Sequence, residues 1–560
     1  MRDLYRCLDE YSPQLLQGIA SAWGVSLPQA KPLEVVKRLA QGMLSPQAAQ
    51  RALETLSPEA RRALAEILSE GSVLPGHRLA LRYGSIRRLG PARLEREQPW
   101  LQPENTLEEL FYKGFLYRAY GSLGEYYGEL FFIPAELAEI LRPLVGTVAP
   151  EFPRAEEAPA RILSAGRALI EDLFLLLVRL RQGRVPVRER VSPSVLILEE
   201  MGLGARLWGE DVPERLELLW GLLQRLRLIE EQRGIWQPSQ RAKEWLTLTD
   251  AERLRTVFMA WRDDPHRDEL SALADIRYDK ASWPAKPALA RRNLLELLAK
   301  CPAGEWLSLE GFVQVLRHYL PDYLRPDGDF AGVVYDAKTG EPLRGLASWE
   351  KVEGALARYL LAQPLYWLGI VDIGYERGAA RPSVFRLTME GRRLLTGERL
   401  EGEKAPPPQA TLREDFTVSI PLENTLYERY QLERFAEWQA QDGEAIYRIT
   451  AESIWRSQNA GIKVEQILNF LRRISQGQVP PVVVRALRAW GGRFGRVFVR
   501  RVLLLQTDDE QTMKQIRRQA QIRPLLGEAI SPTACLVEEE NLEKLTERLK
   551  SLGIWPHIRL

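Results

Sequence analysis

A chain of 560 residues, 45% hydrophobic and 27% charged, has room for about three to five domains, each with its own core, and is too apolar to be a disordered chain. A net charge of +2, from 77 basic and 75 acidic residues, excludes a uniformly basic nucleic-acid binder and leaves local basic surface balanced by acids elsewhere. Three widely spaced cysteines, Cys7, Cys301 and Cys535, with no C-x-x-C pair, exclude a disulfide framework and argue against structural zinc.

The first residues, MRDLYRCLDEYSP, carry no apolar signal core, and the longest apolar run, Leu169 to Val178, holds two acids and is too short to span a bilayer. A cytoplasmic protein with no membrane partner is expected. Residues 1–45 read as a helical segment. In SPEARRALAEILSEG, Ser57 is a helix cap, Pro58 the first helical residue, Leu64, Ile67 and Leu68 one apolar face, and Gly71 the stop. A pattern of two short β-like runs around a glycine-bearing turn, followed by an amphipathic helix, then occurs three times: from Lys113, from Leu226 and from Leu368. Gly121 and Gly124, Gly234, and Gly374 and Gly378 supply the turn residues. Helices precede each hairpin, among them Arg291 to Lys300 and Trp349 to Gln363, and Thr249 with Glu252 has capping-box spacing.

Helices followed by a β-hairpin is the plan of a winged helix. Three such units are expected at 46–145, 161–265 and 285–396, with Pro/Glu-rich linkers at 146–160 and 397–410. Residues 411–560 differ. A strand-like FTVSIP leads into three helices, then a helix feeding the strand RVLLLQTDDEQ, then a strand and an amphipathic helix. The fold class expected for the whole is helix-rich α+β, with tandem winged-helix units followed by a compact α+β domain.

The segments FTVSIP (Phe416 to Pro421), YRITAESIWRSQNAGIKVEQILNFL (Tyr447 to Leu471) and VPPVVVRALRAWGGRFGRVFV (Val479 to Val499), with the cluster Trp490, Phe494, Gly495 and Arg496, carry a likeness to a known family. This block resembles the domain at the N-terminus of bacterial XPB-type DNA helicases and of helicase-associated proteins. Upstream, LETLSPEARRALAEIL and WQPSQRAKEWLTLTDAERLRTVFMAW resemble the longer helicase-associated proteins, so the likeness covers most of the chain, least around Asp322 to Gly345. It implies association with helicases of DNA repair or transcription. The chain departs from a full helicase in having no G-x-x-x-x-G-K-[ST] phosphate loop and no second set of motor motifs.

No other catalytic constellation is expected. RVLLLQTDDEQ imitates a metal-binding motor strand, but without a phosphate loop Asp509 and Glu510 have no nucleotide-bound ion to hold. His77, His266, His318 and His557 are isolated, and no G-x-S-x-G occurs. No enzyme activity, cofactor or metal is expected. The basic runs carry more signal. The nucleic-acid-binding candidates are Arg82, Arg87 and Arg88 in the first run, Arg184 and Arg188 in the second, Arg377 and Arg381 in the third hairpin, and Arg493, Arg496, Arg500 and Arg501 near the end. Guanidinium forks among glycines suit phosphates; the plainer reading is pairing with the chain's acids. The helices before the hairpins carry Glu108, Glu109, Glu217, Glu350 and Glu353, which would repel phosphate, so base-specific readout is not expected. The function expected is a non-catalytic DNA-binding accessory protein that docks a helicase or nuclease. The alternatives are a protein scaffold that never touches nucleic acid, or the non-motor subunit of a split helicase.

Overall fold

The computed structural model describes residues 2–124, 126–183, 185–187, 207, 212–278, 286–325, 334–398, 409–495 and 502–558. Helices and antiparallel sheets are mixed along the whole length, so the α+β class holds. Two compact units form: Met1–Pro408 with Ile420–Glu433, and Gln409–Ser419 with Arg434–Leu560.

Local chemistry sets the helix ends where the sequence placed them. The Ser57 hydroxyl accepts from the Ala60 N–H at the start of Pro58–Ser69. Thr249 and Glu252 form a reciprocal capping box at the start of Asp250–Arg262. Two hairpin glycines do other work. Gly121 lies inside its strand opposite Gly128, and the left-handed turn residue there is Gly124. Gly374 is paired with Val384, and a Cβ on it would meet Pro159 at 2.6 Å. In the second hairpin Arg233 and Gly234 are both left-handed, as a two-residue turn of type I′ requires.

One strand order runs through the molecule. A first strand, a helix and a hairpin follow one another, and the second hairpin strand lies in the middle. The first sheet has Tyr126–Phe132 between Val73–Pro75 and Tyr117–Leu123; the second has Ile235–Pro238 between Val185–Pro186 and Ile229–Gln232; the third has Val384–Leu387 between Trp306–Ser308 and Val371–Tyr375. In the smaller unit Ala534–Val537 lies between Leu503–Gln506 and Leu526–Ser531, and Glu444–Arg448 lies between Thr417–Pro421 and Glu437–Asp442. The middle strand is paired on both edges. It supplies core residues such as Phe131 and Phe132, Phe385 and Leu387, and Val537.

Residues 146–160, read from composition as a linker, run hydrogen-bonded along the third sheet. Ala155 N–H donates to Trp306 O, Ser308 N–H to Pro153 O and Ala160 N–H to Tyr375 O, each at 2.8–2.9 Å, after which Arg161–Leu163 joins the sheet beside Val371–Tyr375. The stretch had looked structureless because its backbone pairing needs no apolar periodicity of its own.

The larger unit has two cores. One is drawn from residues 4–141; the other gathers residues 165–394 and adds Leu426 and Tyr430. The helix Leu426–Leu432 is held there by Arg429, 1% exposed, whose guanidinium donates to both Glu171 oxygens at 2.9 and 2.8 Å, and by Arg181, stacked 3.8 Å over the Tyr430 ring. A fork-on-carboxylate pair this dry is a charge-assisted contact of the stronger kind.

Candidate nucleic-acid interface

The first basic run divides sharply between its members. Arg82 sits on Gly76–Tyr83 with its side chain 1% exposed, reaching Glu66 at 3.1 Å and Glu70 at 2.7 Å. Burial works to raise the Glu66 carboxyl, but hydrogen bonds from His318 and Tyr83 and the Arg82 charge hold it at about 2. Arg87 lies in an extended stretch, its guanidinium reaching Glu108 and Glu104 at 2.7 and 2.8 Å. Burial opposes the ionised form of Glu108 too, and Arg87 together with the backbone N–H groups of Arg87 and Glu104 keeps it below the usual carboxylate range. Arg93 and Arg96 are exposed and share Glu97. Arg88 is exposed and has no ion pair among the described residues.

Loop arginines behave differently. Arg377 and Arg381 lie between Val371–Tyr375 and Val384–Leu387, both exposed and without an ion pair among the described residues; Arg233, in the turn of the second hairpin, is exposed as well. In the smaller unit Arg493 is exposed just past Pro481–Gly491, whose Trp490 packs 5.1 Å from Phe416, while Arg488 pairs with Glu465. Arg184, Arg188, Arg496, Arg500 and Arg501 lie outside the described residues.

The helices that precede the hairpins present little surface for a groove. Leu107 to Tyr112 are all buried. Glu108 and Glu109 therefore do not face outward to repel phosphate: Glu108 holds Arg87, and Glu109 caps at Ser57 and pairs with Lys113. Glu353 likewise is buried against Arg325. Ala355–Ala362 and Pro364–Trp367 are largely buried. Val212–Arg225 keeps an open face, but Glu214 and Glu217 on it join Asp264, Asp268 and Glu269 around a cleft of about 680 Å³, five acids against Arg225 and Arg267, with Glu269 held by Arg267 and Arg291, a surface that remains acidic and unsuited to a polyanion.

Four of the groups that resemble reactive centres have structural partners. Asp509 caps Glu510–Arg518 by accepting from the Thr512 N–H at 2.8 Å, and Glu510 pairs with Lys514. His77 Nε2 lies 2.7 Å from Asp322, which also accepts from Arg78, and His318 Nε2 lies 2.9 Å from Glu66. The three cysteines are buried thiols. Among the described residues no three or more His, Cys, Asp or Glu side chains are placed to hold a metal ion, and no helix is long and apolar enough to cross a membrane.

Comparison with known proteins places the likeness in the C-terminal block. Residues 411–531 match a family model described as the helicase conserved C-terminal domain. Over 114 residues the chain is 30% identical to the DNA 3'-5' helicase XPB of Kineococcus radiotolerans, a stretch that is 20% of each protein. The chain thus spans about one fifth of the length of this curated relative. The XPB-like character read from the sequence holds for this part of the chain.

Proposed function

We propose that the chain is a non-catalytic partner of DNA helicases that binds DNA with little sequence preference, through arginines on its hairpins and turns. Its three helix–hairpin units are winged helices used for their wings. The first-strand, third-strand, second-strand order of their sheets is the order a winged helix needs, and it recurs in each unit. One observation carries the binding mode: four of the candidate arginines, Arg88, Arg377, Arg381 and Arg493, are exposed on loops and turns with no ion pair among the described residues, while the helices just before the hairpins are buried or acidic. Such contacts position a protein on the phosphate backbone and carry no sequence information. The partners are DNA and a helicase or nuclease, in repair or transcription, and no cofactor is involved. The non-catalytic reading is supported by the structural partners of Asp509, Glu510, His77 and His318 and by the burial of the three thiols.

The acidic cleft beside Val212–Arg225 favours a second use, docking of a basic partner segment. Anisotropy titrations with single-stranded, duplex and forked DNA at two salt concentrations, with ATP added as a control, test the main reading. Salt-dependent binding without nucleotide turnover is expected. Hydrolysis of ATP, or indifference to polynucleotides in dilute buffer, sinks it.

A further inference from the structure

The first hairpin differs from the other two in what it exposes. Tyr120 and Tyr127 are 74% and 71% exposed, and their rings meet edge to face at 5.6 Å. Side chains alternate across a strand, so Arg118 and Tyr120 share a face. Tyr127, opposite Ser122, falls on the same face. This face carries two large aromatic surfaces in water and one ion pair, Arg118 with Glu129 at 3.4 Å, the acid lying opposite Tyr120.

The root of the hairpin opens into a cleft of about 520 Å³, a size suited to one small ligand. Arg118 belongs to both the face and the cleft. Four arginines line it, of which Arg2 pairs with Glu10, Arg87 with Glu104 and Glu108, and Arg118 with Glu129. Arg88 has no ion pair among the described residues. Tyr11 stacks on Tyr117 at 6.0 Å, and Phe111 closes on Tyr11 edge-on. Tyr117 is 1% exposed and its hydroxyl has no hydrogen-bond partner among the described residues. A buried hydroxyl left unsatisfied costs free energy, so a ligand that reaches it gains the bond the protein withholds. Burial also pushes the Cys7 thiol up to about 12, so the cleft binds without offering a thiolate.

We propose that this face and cleft form a site for an unpaired nucleic-acid strand. Successive bases stack on Tyr120 and Tyr127, phosphates lie along Arg88 and along Arg118 where it exchanges Glu129 for phosphate, and one nucleotide enters the cleft, where the Tyr117 hydroxyl gains its partner. Aromatic side chains interleaved with cations suit single strands, whose base faces are open; a duplex offers only its stacked edges and backbone. The assignment rests on the DNA-binding reading above and narrows it to one form of substrate at one hairpin.

The full chain is titrated with fluorescein-labelled oligothymidylate and with a blunt duplex of equal length. Wild type is compared with the Tyr120→Ala/Tyr127→Ala double variant, with Tyr117→Phe and with Arg88→Glu. Both residues of the double variant are surface-exposed, so its thermal midpoint stays put. The expected result is a loss of about ten-fold or more on the single strand, against less than about two-fold on the duplex, with a several-fold loss for Tyr117→Phe. If wild type binds the single strand and the double variant binds it equally well, this site falls and the broader reading survives. Equal losses on both probes also overturn it, since the hairpin then contacts only backbone. If wild type binds neither probe, both readings fall together.

Discussion

The arginines of residues 82–96 and those of residues 377–381 look alike in sequence and have different employment. Arg82 and Arg87 lie where helices meet, and buried or half-buried glutamates claim them. Arg377 and Arg381 lie exposed on a loop between two strands of a sheet, and neither has an ion pair among the described residues. Local composition does not separate the two cases. What separates them is whether the backbone brings a carboxylate to the guanidinium. A net charge of +2 counts paired and unpaired groups alike, so only the structure separates the cations left for a polyanion from those already engaged.

That contrast can be broken or sharpened by substitution. The largest effect belongs to Arg82→Ala, which strands Glu66 and Glu70 in a dry seam. A loss of about 3–5 kcal/mol of stability is expected, read by chemical denaturation. DNA affinity per folded molecule stays unchanged. A wild-type-like denaturation curve contradicts the structural role. Next comes Glu66→Gln. Because the Glu66 carboxyl is held at about 2 against an ordinary 4.5, its contribution is complete above pH 4.5 and disappears as pH falls through that interval. The variant should be less stable near neutrality by about 1–2 kcal/mol, and the gap should close toward pH 2. A gap constant across the titration counts against the ionised seam.

For the loop, the Arg377→Glu/Arg381→Glu pair should weaken DNA binding about ten-fold and lower the slope of log affinity against log salt by about two. Stability should hold. Arg493→Glu, one exposed cation on the smaller unit, should cost several-fold in affinity. The smallest effect is assigned to Arg93→Ala. Arg93 is exposed and its partner Glu97 also has Arg96, so neither the thermal midpoint nor the affinity should move measurably. A marked loss of DNA binding there would mean that paired surface arginines exchange glutamate for phosphate, and the contrast between the two stretches would blur.

Local signals were legible in the sequence wherever neighbours in the chain decide the outcome. Ser57, the Thr249–Glu252 box and the Arg233–Gly234 turn are settled within four residues, and the three hairpins followed from period-two alternation. Long-range placement was not legible. The acids of the helices before the hairpins looked like an outward barrier to phosphate, but Glu108 and Glu109 face inward, because Arg87, Ser57 and Lys113 come from other parts of the chain to meet them. For the same reason Arg82 passed for a surface cation. The aromatic face of the first hairpin was half visible: alternation put Tyr120 on the side opposite Tyr117, but only the register pairing Ser122 with Tyr127 brings the second ring beside it. Tyr11 and Arg2, more than a hundred residues before Arg118, gave no sign of sharing a cleft with it.

The helix Leu426–Leu432 belongs to one unit while the chain on both sides of it belongs to the other. The polypeptide therefore passes between the units three times, and no single cut yields both intact. A fragment ending at Pro408 would keep Glu171 and lose Arg429, exposing the ground on which Tyr430 packs. A fragment beginning at Gln409 would carry an amphipathic helix with its berth removed. Truncation at the apparent boundary would report on two damaged halves, so function is better dissected by point changes in the full-length protein.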